Sequence, residues 1–496
     1  MAAILLILSF IFLVLFLLKK SPSTKRLPPS PLKLPIIGNI YLAGSLPHRS
    51  FHSLSKRYGE VMLLQFGSKP VVVASSAKAA REIMLNQDPI FASRPRFSTA
   101  DRLLYGGRDV AFAAYGSHWR KGRSMCVLHL FSSKRVQSFR PIRDEETSLM
   151  IANIKRSSPG VVNLSKVFMD LANDVVCRAV LGRKYGGGGD NREKRFNQIL
   201  EMIVEMLQRY NVGDFVPWLG WIDRVNGVEA QVEKIFEMTD QFMEGLLREY
   251  RERKSSDGAV VNFADALLEF QKESKDSDPV EDDVIKALIL DMFGGGTDTT
   301  FTALEWTVAE LIRNPRTMKL LQKEVREVAK NKNGIDINED DLDKMPYLKA
   351  VSKESLRLHP PLPLAVPREI TQDTNLLGYD IPRGALVLVN CWAISRDPLL
   401  WENPNEFRPE RFFDTSIDYK GLHFEMIPFG AGRRGCPGIG FAMSLYELAI
   451  SRLVNEFDFG MPNGGRKEDL DMTEAPGFAV HKKSPLLVVA TPRASN

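Results

Sequence analysis

Cysteine is scarce in this chain: Cys126, Cys177, Cys391 and Cys436 are the only four among 496 residues, and no two lie close together. No CxxC occurs, which excludes a zinc ribbon or a thioredoxin-type redox site. Four thiols cannot staple so long a chain, so a disulfide framework is excluded too. Reduced thiols facing the cytosol are expected. An excess of one charge sign is also missing: 66 Lys and Arg stand against 61 Asp and Glu, a net of +5. With no basic stripe or recognition motif, nucleic acid is not an expected partner. Internal repeats and low-complexity tracts are absent, and no solenoid is expected. Residues 185–190 hold four consecutive glycines. They lack the Walker pattern of a phosphate loop and are read as a surface loop.

What is present begins with an apolar run over residues 2–18, interrupted only by Ser9 and followed by Lys19, Lys20, Lys25 and Arg26. Its length is near the short end of a bilayer span. A cleaved signal peptide would carry its charge before the run and a small-x-small site after it. Here the charge follows, which predicts a retained anchor with the body on the positive, cytosolic side. The sequon Asn163-Leu164-Ser165 is then expected to carry no glycan. Leu27-Pro28-Pro29-Ser30-Pro31, with Pro35 and Gly38, can be neither helix nor central strand and reads as a stiff hinge. The expected organisation is an anchor over 1–20, a proline-rich hinge over 21–38 and a catalytic domain over 39–496. Short apolar runs at residues 61–66, 70–74, 385–389 and 486–489 predict strands. Helical patterns dominate from about residue 117 to 360, and a charged linker covers 272–283. The fold class is mainly α with small β-sheets set to one side.

Three stretches carry chemistry. Phe429-Gly430-Ala431-Gly432-Arg433-Arg434-Gly435-Cys436-Pro437-Gly438 packs four glycines into ten residues, an irregular backbone that side chains would obstruct. Cys436 then precedes an apolar helical run, and a helix N-terminus favours a thiolate. Read alone, the segment is also compatible with a glycine-rich loop around a buried cysteine. Gly294-Gly295-Gly296-Thr297-Asp298-Thr299-Thr300 lies inside a helical pattern running from about residue 280 to Arg313. Each mid-helix glycine costs up to ~1 kcal/mol relative to alanine, so either the helix breaks into a loop there or something approaches its backbone. Glu354 and Arg357 are three apart on a helix and can pair.

The first stretch resembles the cysteine-ligand signature of the cytochrome P450 family, F-x-x-G-x-R-x-C-x-G, at Phe429, Gly432, Arg434, Cys436 and Gly438. Five fixed positions at roughly one in twenty each recur by chance in on the order of one chain in several thousand. The resemblance extends through Trp119-Arg120-Lys121-Gly122-Arg123, Glu354-Ser355-Leu356-Arg357, Val366-Pro367-Arg368 and Pro409-Glu410-Arg411-Phe412. It is similar in style to plant microsomal members at Gly59-Glu60-Val61-Met62 and Glu474-Ala475-Pro476-Gly477-Phe478. It implies a helix-rich haem domain with a β-rich N-terminal lobe. Cys436 is then the axial ligand of haem b. Trp119, Arg123, Arg368 and Arg434 are propionate partners, with Phe429 in the same haem-binding loop. Glu354, Arg357 and Arg411 form a supporting network that is structural. Thr299 would hydrogen-bond the iron-bound oxygen, and Asp298 would relay protons.

The implied reaction inserts one atom of O2 into a small lipophilic molecule. Its electrons come from NADPH through NADPH-cytochrome P450 reductase, at the endoplasmic reticulum membrane and facing the cytosol. Among plant members the resemblance points to a monoterpenoid such as pulegone, by allylic hydroxylation with closure to a furan. The same chemistry on another terpenoid or plant metabolite is the alternative. A dehydratase or isomerase needing no reductase is disfavoured by the intact Asp298-Thr299 pair, and a haem sensor or carrier would leave that pair idle. Helical spacing sets Gly295, Met292 and Asp291 near the face of Thr299. With Phe112, Leu364, Val366, Phe478 and Ala479 they form the expected apolar pocket, Asp291 being its orienting polar group. The segment 362–366 departs from the pattern of the most similar members, and Gly295 stands where many have alanine. Both lie where substrate is chosen. Arg120, Lys121, Arg123, Lys134, Arg135 and Arg433 are the expected basic face for an acidic reductase.

Overall fold

The computed structural model describes residues 25–184, 191–209, 211–252, 262–274, 279–330 and 336–493. The expected anchor and the four-glycine loop lie outside the described residues, as do residues 21–24 of the hinge. The rest of the hinge is pinned to the globule: the Leu63 amide donates to Pro29 O at 2.9 Å, and Gly38 pairs with Phe66.

A helix α1 (Pro47–Tyr58) leads into the hairpin β1 (Val61–Phe66) and β2 (Lys69–Ala74). The turn needs glycine: Gly67 has φ +56°, and a Cβ there would lie 2.2 Å from Phe215 O. Then come α2 (Ser117–Met125), α3 (Arg140–Ser157), β3 (Val161–Asn163), α4 (Leu164–Leu181), α5 (Asn191–Leu207), α6 (Val228–Glu252) and α7 (Phe263–Glu273). The interior is spanned by α8 (Asp282–Gly296) and α9 (Asp298–Arg313), followed by α10 (Pro315–Lys330) and α11 (Pro346–Leu358). The C-terminal part holds β4 (Arg368–Glu369), β5 (Thr374–Leu376), β6 (Tyr379–Ile381), β7 (Leu386–Val389), α12 (Ile439–Glu456), β8 (Phe457–Gly460) and β9 (Leu487–Pro492).

The main sheet has the order β1-β2-β7-β4, with β2 and β7 parallel and the other pairs antiparallel. Half of the β-rich lobe therefore comes from beyond residue 367, and the expectation of an N-terminal lobe is corrected: the parallel β2–β7 pair can only close across the whole helical body. A second sheet, β3-β9-β8, and the hairpin β5-β6 complete the strands.

Every residue from Thr300 to Ile312 is buried. A helix that is apolar and buried all round belongs at the centre of a large core, and α9 packs on α4, α11 and α12. Several of its polar groups find local partners, although the buried Thr302 hydroxyl has none among the described residues. The Thr307 hydroxyl meets Ser355 Oγ at 2.6 Å and Tyr446 OH at 2.5 Å, and Trp306 stacks on His359 at 4.2 Å. The start of α4 accounts for the sequon. Asn163 caps the helix by accepting from the Lys166 amide, and Ser165 Oγ donates to Glu305 while accepting from the Leu486 amide.

Candidate active site

The loop before α12 is built by its glycines. Cys436 N donates to Phe429 O at 2.9 Å, closing the loop on itself. Gly432 has φ +68°, and a Cβ on it would lie 2.0 Å from Met84 O, so no side chain fits there. The Cys436 sulfur opens onto a cavity of about 760 Å³ inside the protein. Burial raises the thiol's pKa, while the Gly438 N–H and the nearby Arg123 oppose the rise.

The junction of α8 and α9 lines the same cavity. Gly294 and Gly295 face open space, whereas a Cβ on Gly296 would lie 2.9 Å from Val176 on α4. The three glycines thus have two causes: close packing on one side and the cavity on the other. The helical ladder continues through Thr297, so the helix kinks without opening into a loop. Thr299 and Asp298 both line the cavity. The Thr299 hydroxyl donates to Gly295 O at 2.6 Å. Burial raises the Asp298 pKa, opposed by His481.

One rim is crowded with guanidinium groups. Arg434 stacks over the Trp119 ring at 4.2 Å and donates to the carbonyls of Ala92, Val110 and Ala113. Burial, with Arg368 adding to it, pushes Arg434 down to about 9. Arg94, which sequence reasoning missed, is buried and donates only to carbonyls: Ala111 O at 2.9 Å, Val366 O at 2.7 Å and Pro367 O at 2.9 Å. Arg123 lines the cavity from α2, and burial lowers its pKa. Among the described residues, Arg368 alone of the four meets a carboxylate, Asp88 at 3.2 Å. Buried cations that outnumber their counter-charges are costly, so this rim fits a ligand carrying negative charge.

Glu354, Arg357 and Arg411 also come together. Glu354 accepts from Arg357 at 2.7 Å and 2.9 Å and from Arg411 at 3.0 Å, and all three are buried. Arg357 also donates to Ser395 O, Pro404 O and Glu406 O, which ties four segments to one carboxylate.

The sequence profile described as Cytochrome P450 matches residues 28–489. The chain belongs to the cytochrome P450 family. It is 68% identical to "(+)-menthofuran synthase" of Mentha piperita, over 100% of both chains. It is 54% identical to "Cytochrome P450 71A6" of Nepeta racemosa, over 97% of each. A solved zebra fish cytochrome P450 with progesterone superposes with a TM-score of 0.77 at 29% identity, covering 90% of this chain and 99% of that one. The chain is therefore a haem-thiolate monooxygenase that uses haem b and O2. Its own residues fit that cofactor. A soft sulfur faces the cavity, and a rim of four guanidinium groups beside one paired carboxylate suits the two propionates of haem.

Seven of the eight expected pocket residues line the cavity: Phe112, Asp291, Met292, Gly295, Val366, Phe478 and Ala479, as does Phe429. Leu364 does not. Ala365 adopts φ +52° and its amide donates to Leu362 O at 3.0 Å. This turn sends Leu362, Ala365 and Val366 inward, while Leu364 packs on the sheet cluster of Phe51, Val71 and Leu386. Arg123 is likewise corrected as a member of the basic face, because it points into the cavity. Sequence reasoning also missed Leu104, Ile203 and Leu207, which line the cavity from distant segments and share no local pattern with it.

Proposed function

We propose that this chain is a membrane-bound monooxygenase of a monoterpenoid, pulegone being the first candidate. The observation that carries this reading is the apolar lobe of the cavity. There Phe112 and Phe478 stand 6.0 Å apart beside Met292, Val366, Leu362 and Ala479, opposite the Cys436 loop. Such a lining suits a small lipophilic molecule with few polar groups. The 68% identity to a menthofuran synthase supports a terpenoid of similar size.

Cys436 would hold the iron through its sulfur, and Arg123, Arg368, Arg434 and Trp119 would hold the propionates. When bound, haem supplies the activation of dioxygen and the transfer of one oxygen atom. Burial raises the affinity of the Asp298 carboxyl for a proton, and the neighbouring Thr299, which lines the cavity, would pass that proton into it. The apolar lobe excludes water from the substrate. The Glu354, Arg357 and Arg411 network keeps the cysteine loop at its place in the fold.

A two-part attachment to the endoplasmic reticulum membrane accompanies this reading, with the catalytic domain, taken as 39–496, in the cytosol. No helix among the described residues is long and apolar enough to cross a membrane. The apolar run at 2–18 lies outside them. Leu32, Ile36, Trp218, Trp221 and Val225 are exposed apolar residues, and Gly67 and Ser68 bridge their two segments through bonds to Ile37 O and Phe215 O. NADPH-cytochrome P450 reductase is the proposed electron donor. Arg120 and Lys134 are exposed and Arg433 half-exposed, and reduction is expected to slow with rising salt.

Microsomes holding the full chain and a plant reductase, fed NADPH and a monoterpene panel including pulegone, test the reading. A furan from pulegone supports it. Oxidation of another terpenoid alone would assign the altered choice to residues 362–366, and no NADPH-dependent oxygen consumption with any terpenoid would overturn it.

A further inference from the structure

The loop 109–113 has no regular secondary structure, yet its backbone groups are held one by one. The amides of Val110 and Ala111 donate to Asp291 Oδ2 at 2.6 Å and 3.4 Å. The amide of Phe112 donates to Asp109. Val110 O accepts from Trp119 Nε1 and Arg434, and Ala111 O accepts from Arg94 Nε. The other end of the same Arg94 guanidinium holds Val366 O and Pro367 O. Asp291 sits on α8 one turn before Gly295. Three walls of the apolar lobe are therefore joined through two buried polar side chains.

We propose that Asp291 and Arg94 are positioning residues that set regioselectivity by fixing the Phe112 loop to α8 and to the facing segment 362–367. This rests on the monoterpenoid reading. Asp291 acts through its bonds to the loop, in place of the substrate contact expected from the sequence. A small lipophilic substrate offers few polar atoms to orient it, so the distance between the walls of the lobe decides which carbon faces the chemistry. A misplacement of about 1 Å changes rates by up to ~100-fold. Loss of the Asp291 acceptor leaves two amides unpaired and frees the Phe112 ring from its place opposite Phe478.

The test uses the full-length holoprotein, with product ratios from a monoterpene that has several oxidisable carbons and hydrogen exchange of the 109–113 amides. In Asp291→Ala, exchange at Val110 and Ala111 is expected to rise at least tenfold and the product ratio to shift at least threefold, with haem content unchanged. Asp291→Asn keeps an oxygen acceptor and is expected to restore both. Phe112→Ala combined with Asp291→Ala is expected to add nothing to the regiochemical shift of Phe112→Ala alone. Unchanged exchange, an unchanged product ratio, or failure of asparagine to rescue each overturns the proposal. If Asp291→Ala does not fold, Arg94→Lys carries the test, because one ammonium cannot span both walls; a native product ratio there overturns it. If the parent oxidises no monoterpenoid, the substrate reading fails by itself. Amide exchange and the product ratio from any other accepted lipophilic substrate then still decide the positioning roles.

Discussion

The two sides of the cavity are held by different means. On the cysteine side, the loop Phe429–Cys436 closes on its own backbone, and Asp88 accepts from its Arg433 amide. On the substrate side, each wall is a short irregular segment held from afar: 109–113 by Asp291, Arg94 and Arg434, 362–367 by Arg94, and 474–482 by contacts with α1. The first arrangement is rigid and does not depend on what is oxidised. The second can move by small steps, because no ladder of hydrogen bonds crosses it. On the reading proposed above, the comparison teaches that the group assigned to the chemistry and the groups assigned to choosing the carbon are held separately.

That separation can be broken in order of expected effect. Arg357→Leu leaves the Glu354 charge buried without its main partner and is expected to cost about 3–5 kcal/mol, read as a lowered thermal midpoint with loss of haem. Acid should loosen the substrate side next. Burial disfavours a charged Glu474, but hydrogen bonds from His48 and Arg49 outweigh it and hold the carboxyl at about 2. A depressed carboxylate contributes stability above its ordinary range and loses it as pH falls, so on the order of 3 kcal/mol should disappear between about pH 4.5 and pH 2. Thermal midpoints against pH should lose this slope in Glu474→Gln.

Gly432→Ala should be destabilising by more than about 2 kcal/mol, from its positive φ and its clash with Met84 O. Gly295→Ala should instead be neutral or stabilising by up to ~1 kcal/mol, since its Cβ meets nothing and helix propensity improves. It should change products and leave the melting point in place. Equal destabilisation of the two variants would sink the contrast. Smallest in their effect on stability are Val366→Leu and Ala479→Leu, where added methylenes should redistribute products by about 10-fold or more. Native product ratios in both would remove these residues from the lobe.

The cysteine side was legible because its requirements are local. Glycines at 430, 432, 435 and 438 around one cysteine state a backbone shape within ten residues, and Asp298-Thr299 marks a face within one helical turn. The strands at 61–66 and 69–74 were equally plain, since apolar runs between turn residues need no distant partner to be recognised. The lobe was harder. Leu364 sits in the same short segment as Val366 but turns away, because Ala365 adopts a left-handed backbone that no periodicity announces. Arg94 reads in the chain as one arginine among many, and its role exists only where Ala111 and Val366 meet. Asp291 was singled out by helical spacing, yet its loop partners lie 180 and 181 residues away.

By itself the sequence determined the family and the mainly α architecture, and it singled out Cys436 and the Asp298-Thr299 helix as the proposed site, because each is encoded in neighbouring residues whose chemistry is specific. Only the tertiary structure decided which cations crowd the rim, how half of the main sheet returns from beyond residue 367, and what holds the substrate walls at their spacing. Those depend on backbone carbonyls and amides, which every residue carries alike, so the pattern of side chains along the chain cannot announce them.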